Sequence, residues 1–79
     1  MIVLSPSIAR AARAFTALKQ SALGKEAGVA SRTVFKLEKD RNITPESLTK
    51  ILHALERRGV VMIRDRKGRI TGIEFKTLK

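Results

Sequence analysis

The sequence predicts a mainly α domain that ends in a short C-terminal β-hairpin, on three observations. Apolar residues recur at helical spacing as far as Arg58. Pro and Gly punctuate that pattern where helices would start and stop. Beyond Gly59 the residues become rich in β-formers around a basic, glycine-containing turn.

The elements follow in order. Ser5 is the expected N-cap of a first helix, with Pro6 at its first position. Ile8, Ala11, Ala12 and Phe15 form an i, i+3, i+4, i+7 stripe for its buried face. Arg10 flanks that stripe and is expected to face water, whereas Arg13 lies within reach of the interior. A second helix is expected from Gln20 to Ala27, ended by Gly28, which tolerates a left-handed conformation. The third runs from Ser31 to Lys39, and Ser31 is a better cap for it than Ala30. Val34 and Leu37 share one face of it; Arg32, Phe35 and Lys36 lie on others.

The stretch from Asn42 to Glu46 opens a fourth helix, with Thr44 as N-cap and Pro45 in the first turn. Leu48, Ile51, Leu52 and Leu55 supply its buried face, and Arg57 and Arg58 suit the negative end of its dipole. Val60 to Ile63 and Ile70 to Phe75 read as strands joined by a turn at Arg66-Lys67-Gly68-Arg69, with Gly72 weakening the second strand. The organisation expected is residues 1–59 as a helical domain and residues 60–79 as a hairpin extension.

Composition narrows the function. Seventeen Lys+Arg against 7 Asp+Glu give a formal net charge of +10 over 79 residues. That balance attracts a polyanion, nucleic acid first and an anionic membrane surface second, with a merely well-solvated surface as the bland alternative. The chain has no cysteine, which excludes disulfides and thiolate metal sites. His53 is the single histidine and has no convincingly spaced carboxylate partners, so neither a metal nor a cofactor is expected. No nucleophile–base pair and no Gly-rich phosphate loop is present, and an enzyme is not expected. No signal peptide or run of transmembrane length is read, which points to the cytoplasm or nucleoid.

Residues 20–39 carry the most specific signal. Two short helices joined at a glycine make the general helix-turn-helix pattern. Leu23 is the inward residue of the first helix, Gly24 the small residue at the crossing, Gly28 the turn residue, and Val29 a plug between the helices. The series Gln20, Leu23-Gly24, Gly28-Val29, Val34 and Leu37-Glu38 resembles the XRE-type, lambdoid-repressor-like helix-turn-helix family, and the resemblance extends over roughly residues 8 to 58. The chain departs from it at Gly24, where the family usually has Ala, and at Asp40, where Gly is frequent. Gly24 is expected to cost roughly 0.5–1 kcal/mol of helix stability relative to Ala.

The resemblance implies a four-to-five-helix lambda-repressor-like DNA-binding domain whose third helix enters the major groove. It points to Ser31, Arg32 and Lys36, then Phe35, for base readout. Arg32 can hold guanine O6 and N7 bidentately, and Phe35 can touch a thymine methyl. The alternatives stay open: Ser31 as a cap, Arg32 and Lys36 on phosphates, Phe35 packed on the first helix. Gln20, Thr33, Lys39, Arg41 and Asn42 are the phosphate candidates. The family's pairing of an Arg and a Glu implies a salt bridge from Arg13 to Glu38.

The function expected is a sequence-specific transcriptional regulator of double-stranded DNA, a repressor acting as a homodimer. Val60 to Ile63 are apolar on both strand faces, which leaves one face for a second subunit. The alternatives are an antitoxin with a toxin protein as partner, or a charge-driven nucleic-acid binder. Three Phe and no Tyr or Trp argue against base stacking on single strands.

Overall fold

Two side-chain caps start the two longer helices. Ser5 adopts an extended backbone and accepts a hydrogen bond from Ile8 N, opening α1 (Pro6–Thr16). Thr44 does the same with Ser47 N to open α4 (Pro45–Arg57). Between them lie α2 (Gln20–Ala27) and α3 (Ser31–Glu38), and an antiparallel hairpin of β1 (Val60–Arg64) and β2 (Ile70–Phe75) follows. This computed structural model describes residues 4–76. The mainly α architecture with a C-terminal hairpin is the one the sequence predicts.

The core lies where all six elements meet. Leu23, Val34, Ile51, Leu52, Leu55 and Val60 are its largest fully buried side chains, and Ile70 closes it from β2. Three of these come from α4, whose Leu48, Ile51, Leu52 and Leu55 stripe is buried as its spacing dictates. On α1 the buried residues are Ala9 and Ala12, while Ala11 is exposed. The helix is therefore rotated from the stripe expected, with Ala9 rather than Ala11 beside Ala12 in the core. Phe15 is 40% exposed and stacks on Phe75, ring centroids 4.3 Å apart and nearly parallel. That stack ties the end of the hairpin to α1.

The hairpin pairs Val60 with Phe75, Met62 with Ile73 and Arg64 with Ile70, and a bulge between Ile63 and Arg64 leaves Thr71 unmatched. Residues alternate between faces, so Val60, Met62 and Ile73 pack on the core while Ile63 is exposed, and the extra residue at the bulge brings Ile70 to the core side as well. Gly72 lies opposite Ile63, whose Cδ1 is 3.7 Å from where a Cβ on the glycine would stand.

The turn between α2 and α3 gives Gly24 a purpose that helix propensity does not. A Cβ there would lie 2.9 Å from Val29 O and 3.2 Å from Ser31 N. Gly24 O in turn accepts Val29 N at 2.8 Å. Gly28, at φ +81°, makes the reversal, and Val29 packs against the core. The chain passes so close over α2 that no side chain fits beneath it.

One buried carboxylate joins three helices. Glu38, 3% exposed, receives Arg13 Nε at 2.6 Å, Arg13 Nη2 at 3.0 Å and Gln20 Nε2 at 3.2 Å. Arg13 Nη1 also donates to Leu18 O. Arg10 is exposed, as expected, and it also donates Nη1 to the Glu38 carbonyl at 2.6 Å. One turn of α1 thus places two guanidiniums at the C-terminal end of α3, where its dipole favours positive charge. The hydrogen bond to Glu38 pushes the Arg13 pKa further up, against the cost of burial and with the help of the opposite charge.

Two outcomes are expected from thermal denaturation. Gly24→Ala lowers stability by about 1 kcal/mol, because overpacking against fixed backbone, about 1–3 kcal/mol, exceeds the gain in helix propensity. For a domain of this size the melting temperature drops by about 4–8 °C; an unchanged value would mean that the turn relaxes freely. Glu38→Gln destabilises by about 2 kcal/mol, since it leaves the half-buried Arg13 guanidinium without its counter-charge. A variant that melts with the wild type would show that the ion pair contributes nothing net.

Candidate nucleic-acid interface

Eight residues of α3 divide into two sides. Val34, Leu37 and Glu38 are buried against the other helices. Ser31, Arg32 and Phe35 are exposed, and Thr33 and Lys36 lie half-buried at the border. The spacing follows from 3.6 residues per turn: positions 34, 37 and 38 share one flank, and 32, 35 and 39 the other. Phe35, 37% exposed, stays outside the core, with Lys39 Nζ 5.9 Å from its ring centroid. The aromatic that packs on α1 is Phe75 instead.

Ser31 is not the cap of its helix. Ala30 holds that position in extended conformation and has no side chain to cap with. The close passage over Gly24 fixes the backbone at Val29 and Ala30, so the helix begins one residue after the turn and Ser31 falls in its first turn with its hydroxyl free of a capping role. Lys39, expected within the helix, is its C-cap. The chain then leaves through Asp40 at φ +58°, and Arg41 N donates back to Lys36 O at 2.8 Å. Asp40 fills the left-handed position that glycine often takes, as its short polar side chain permits.

The four helices start in two different ways. α1 and α4 have side-chain caps, whereas α2 and α3 have none, Lys19 and Ala30 occupying their N-cap positions. Thr33 N donates to Ala30 O at 2.9 Å, but the N–H groups of Ser31 and Arg32, like those of the first turn of α2, have no side-chain cap and are left to solvent or to an anion, where the positive end of each dipole lies. Gln20 sits at the start of α2 with its amide already engaged by Glu38.

Thr33, Lys36 and Asn42 come together with Ile43, Thr44 and Ser47 around an open pocket of about 350 Å³ between α3 and the start of α4. Lys39 and Arg41 are exposed nearby in sequence. Ile43 packs against the core and fixes the loop from beneath. Ser47 was not legible as a site residue: its sequence position suggests only the first turn of α4. Thr44 reads from sequence as a cap, and the same hydroxyl contacts Ser47 Oγ at 2.9 Å on the pocket wall.

Among the described residues no group of three His, Cys, Asp or Glu is placed to hold a metal ion, and His53 is exposed on α4. Among those residues, too, no helix is long and apolar enough to cross a membrane.

No curated protein matches the chain. A family model described as Helix-turn-helix matches residues 17–59, which is more than half of the chain and takes in α2, the turn, α3 and α4. With a glycine turn, an uncapped second helix and an Arg–Glu clamp behind it, the chain belongs to the XRE-type helix-turn-helix family of DNA-binding regulators.

Proposed function

We propose that the protein is a sequence-specific transcriptional repressor that binds double-stranded DNA as a homodimer at the nucleoid, with α3 in the major groove. The observation that carries this reading is the outer flank of α3, where Arg32 and Phe35 stand exposed at helical spacing on a helix held firmly from behind by Glu38. Arg32 takes a guanine through paired hydrogen bonds, Phe35 a thymine methyl, and Ser31 and Lys36 neighbouring base edges. Family membership supports the groove assignment.

Phosphates hold the register. The uncapped starts of α2 and α3 suit an anion. With Gln20's amide bonded to Glu38, the backbone at Gln20 is the better donor there. Thr33 and Asn42, with Ser47 across the same pocket, offer hydroxyl and amide donors, Thr44 being occupied as the α4 cap and as the donor to Ser47 Oγ, and Lys39 and Arg41 add charge.

One module of this size reads few base pairs, and two-fold repetition on a palindromic site extends the readout. Exposed Ile63 and half-buried Val61, beside the flat surface at Gly72, make the outer face of the hairpin the proposed contact between subunits. Residues 60–79 are, in this reading, a dimerisation extension of the helical domain.

Selection of binding sites from random duplex DNA at physiological salt tests the readout. A palindrome is expected, and Arg32→Ala should relax one guanine position, at a cost of about 1–3 kcal/mol for the preferred site. Selection without enrichment would sink the proposal. For the dimer, sedimentation across the micromolar range should show a mass that rises with concentration, and Ile63→Glu should hold it at the monomer value.

A further inference from the structure

Positive charge is not confined to the helix-turn-helix. The six residues from Arg64 to Arg69 are four basic residues, one aspartate and one glycine. This segment closes a hairpin whose helical neighbours are chiefly α1 and α4, rather than α2 and α3. Arg64, Arg66 and Lys67 are exposed, and none forms an ion pair among the described residues.

The turn is braced from within. Asp65 Oδ1 accepts both Lys67 N and Arg69 N at 2.9 Å, and Oδ2 accepts Arg69 Nε at 2.7 Å. Asp65 N donates to Arg69 O and Gly68 N to Asp65 O, with Gly68 at φ +82° completing the reversal. Desolvation pushes the Asp65 carboxyl up. The hydrogen bonds from Arg69 and Lys67, with the charge of Arg69, outweigh it and hold the pKa below the ordinary value. The ionised form is therefore the bound form: the brace is intact at neutral pH and is lost only as pH falls through that lowered value. The single acidic group in the turn is thus spent on Arg69 and on backbone N–H groups. The remaining three cations are displayed on a preset backbone, next to a bulge that increases the local twist.

We infer that the hairpin tip, through Arg64, Arg66 and Lys67, is a second duplex-DNA contact that binds backbone phosphates without reading sequence. The inference goes beyond the major-groove reading and shares with it only the duplex. Charge complementarity commits the occupant to nucleic acid. From Arg64 to Arg69 there is no apolar side chain, and the exposed Ile63 beside it is a single residue rather than the apolar face that a membrane-surface element requires. The tip adds affinity and salt dependence but no base preference, because phosphates are the same at every step.

The test is a salt titration of the full chain on random-sequence duplex DNA. Arg66→Gln/Lys67→Gln should make the slope of log K against log salt shallower by about 1.8, and adding Arg64→Gln should remove about 0.9 more. At ~0.1 M salt the triple variant should bind on the order of a hundredfold more weakly. Lys25→Gln/Lys50→Gln, on exposed positions of α2 and α4, should leave the slope near wild type. Thermal melts verify folding, and the double variant, confined to the turn, stands alone if Arg64→Gln disturbs β1. An unchanged slope would overturn the inference, as would an equal change in the Lys25/Lys50 control, which would mean diffuse charge. Binding to phosphatidylglycerol vesicles that is lost in the variants, with DNA binding intact, would also overturn it. Arg32→Ala should alter site preference and leave the contribution of the tip in place, so the two readings fail separately.

Discussion

The buried carboxylate of Glu38 is the contact on which the placement of α3 depends. A carboxylate removed from water is tolerated only when its oxygens are satisfied, and Arg13 and Gln20 do this from two different helices. Arg10 adds a third grip on the same residue, at its carbonyl. Hydrophobic packing by Val34 and Leu37 is non-directional and would allow α3 to roll or slide by a fraction of a turn. The forked geometry of a guanidinium on a carboxylate does not. The clamp therefore sets which residues of α3 face outwards, and it does so from the side away from the exposed flank.

At the other end of α3 the constraint is steric rather than electrostatic. Gly24 lets the chain cross α2 at a distance that excludes even a methyl group. With the turn pressed down at one end and Glu38 anchored at the other, a helix of two turns is fixed at both termini. Such a short helix has little stability of its own, and tertiary contacts must define it.

Much of this was legible in the sequence. The helix boundaries followed from Ser5-Pro6, Gly28, Thr44-Pro45 and Gly59, because caps and breakers act locally and leave local signatures. The rotation of α1 was not legible: Ala9 and Ala11 are equivalent as small apolar residues, and only the neighbouring helix decides between them. Nor was the role of Arg10, whose partner is a backbone carbonyl 28 residues away and has no residue type to betray it. The position of Ser31 misled for a related reason. Its chemistry suits a cap, but the position of the turn, set by Gly24 and Gly28, assigns that place to Ala30. At the candidate interface, Arg32 and Phe35 stood out by type and spacing, whereas Ser47 joins Thr33 and Asn42 only once α4 folds beside α3.

The unequal capping of the four helices has a consequence for how the domain breathes. α1 and α4 are closed at their starts by hydroxyls of the protein itself, whereas α2 and α3 have no side-chain cap, and in the first turn of α3 Thr33 N alone is paired, with Ala30 O. Amide exchange in the free protein should therefore be fastest at the first turns of the latter two, in the parts that would face a phosphate backbone. An anion docked there would act as the missing cap, so that ligand binding and the last increment of helix formation become one event. The scaffold is finished in the free state, and the reading head is completed by what it reads.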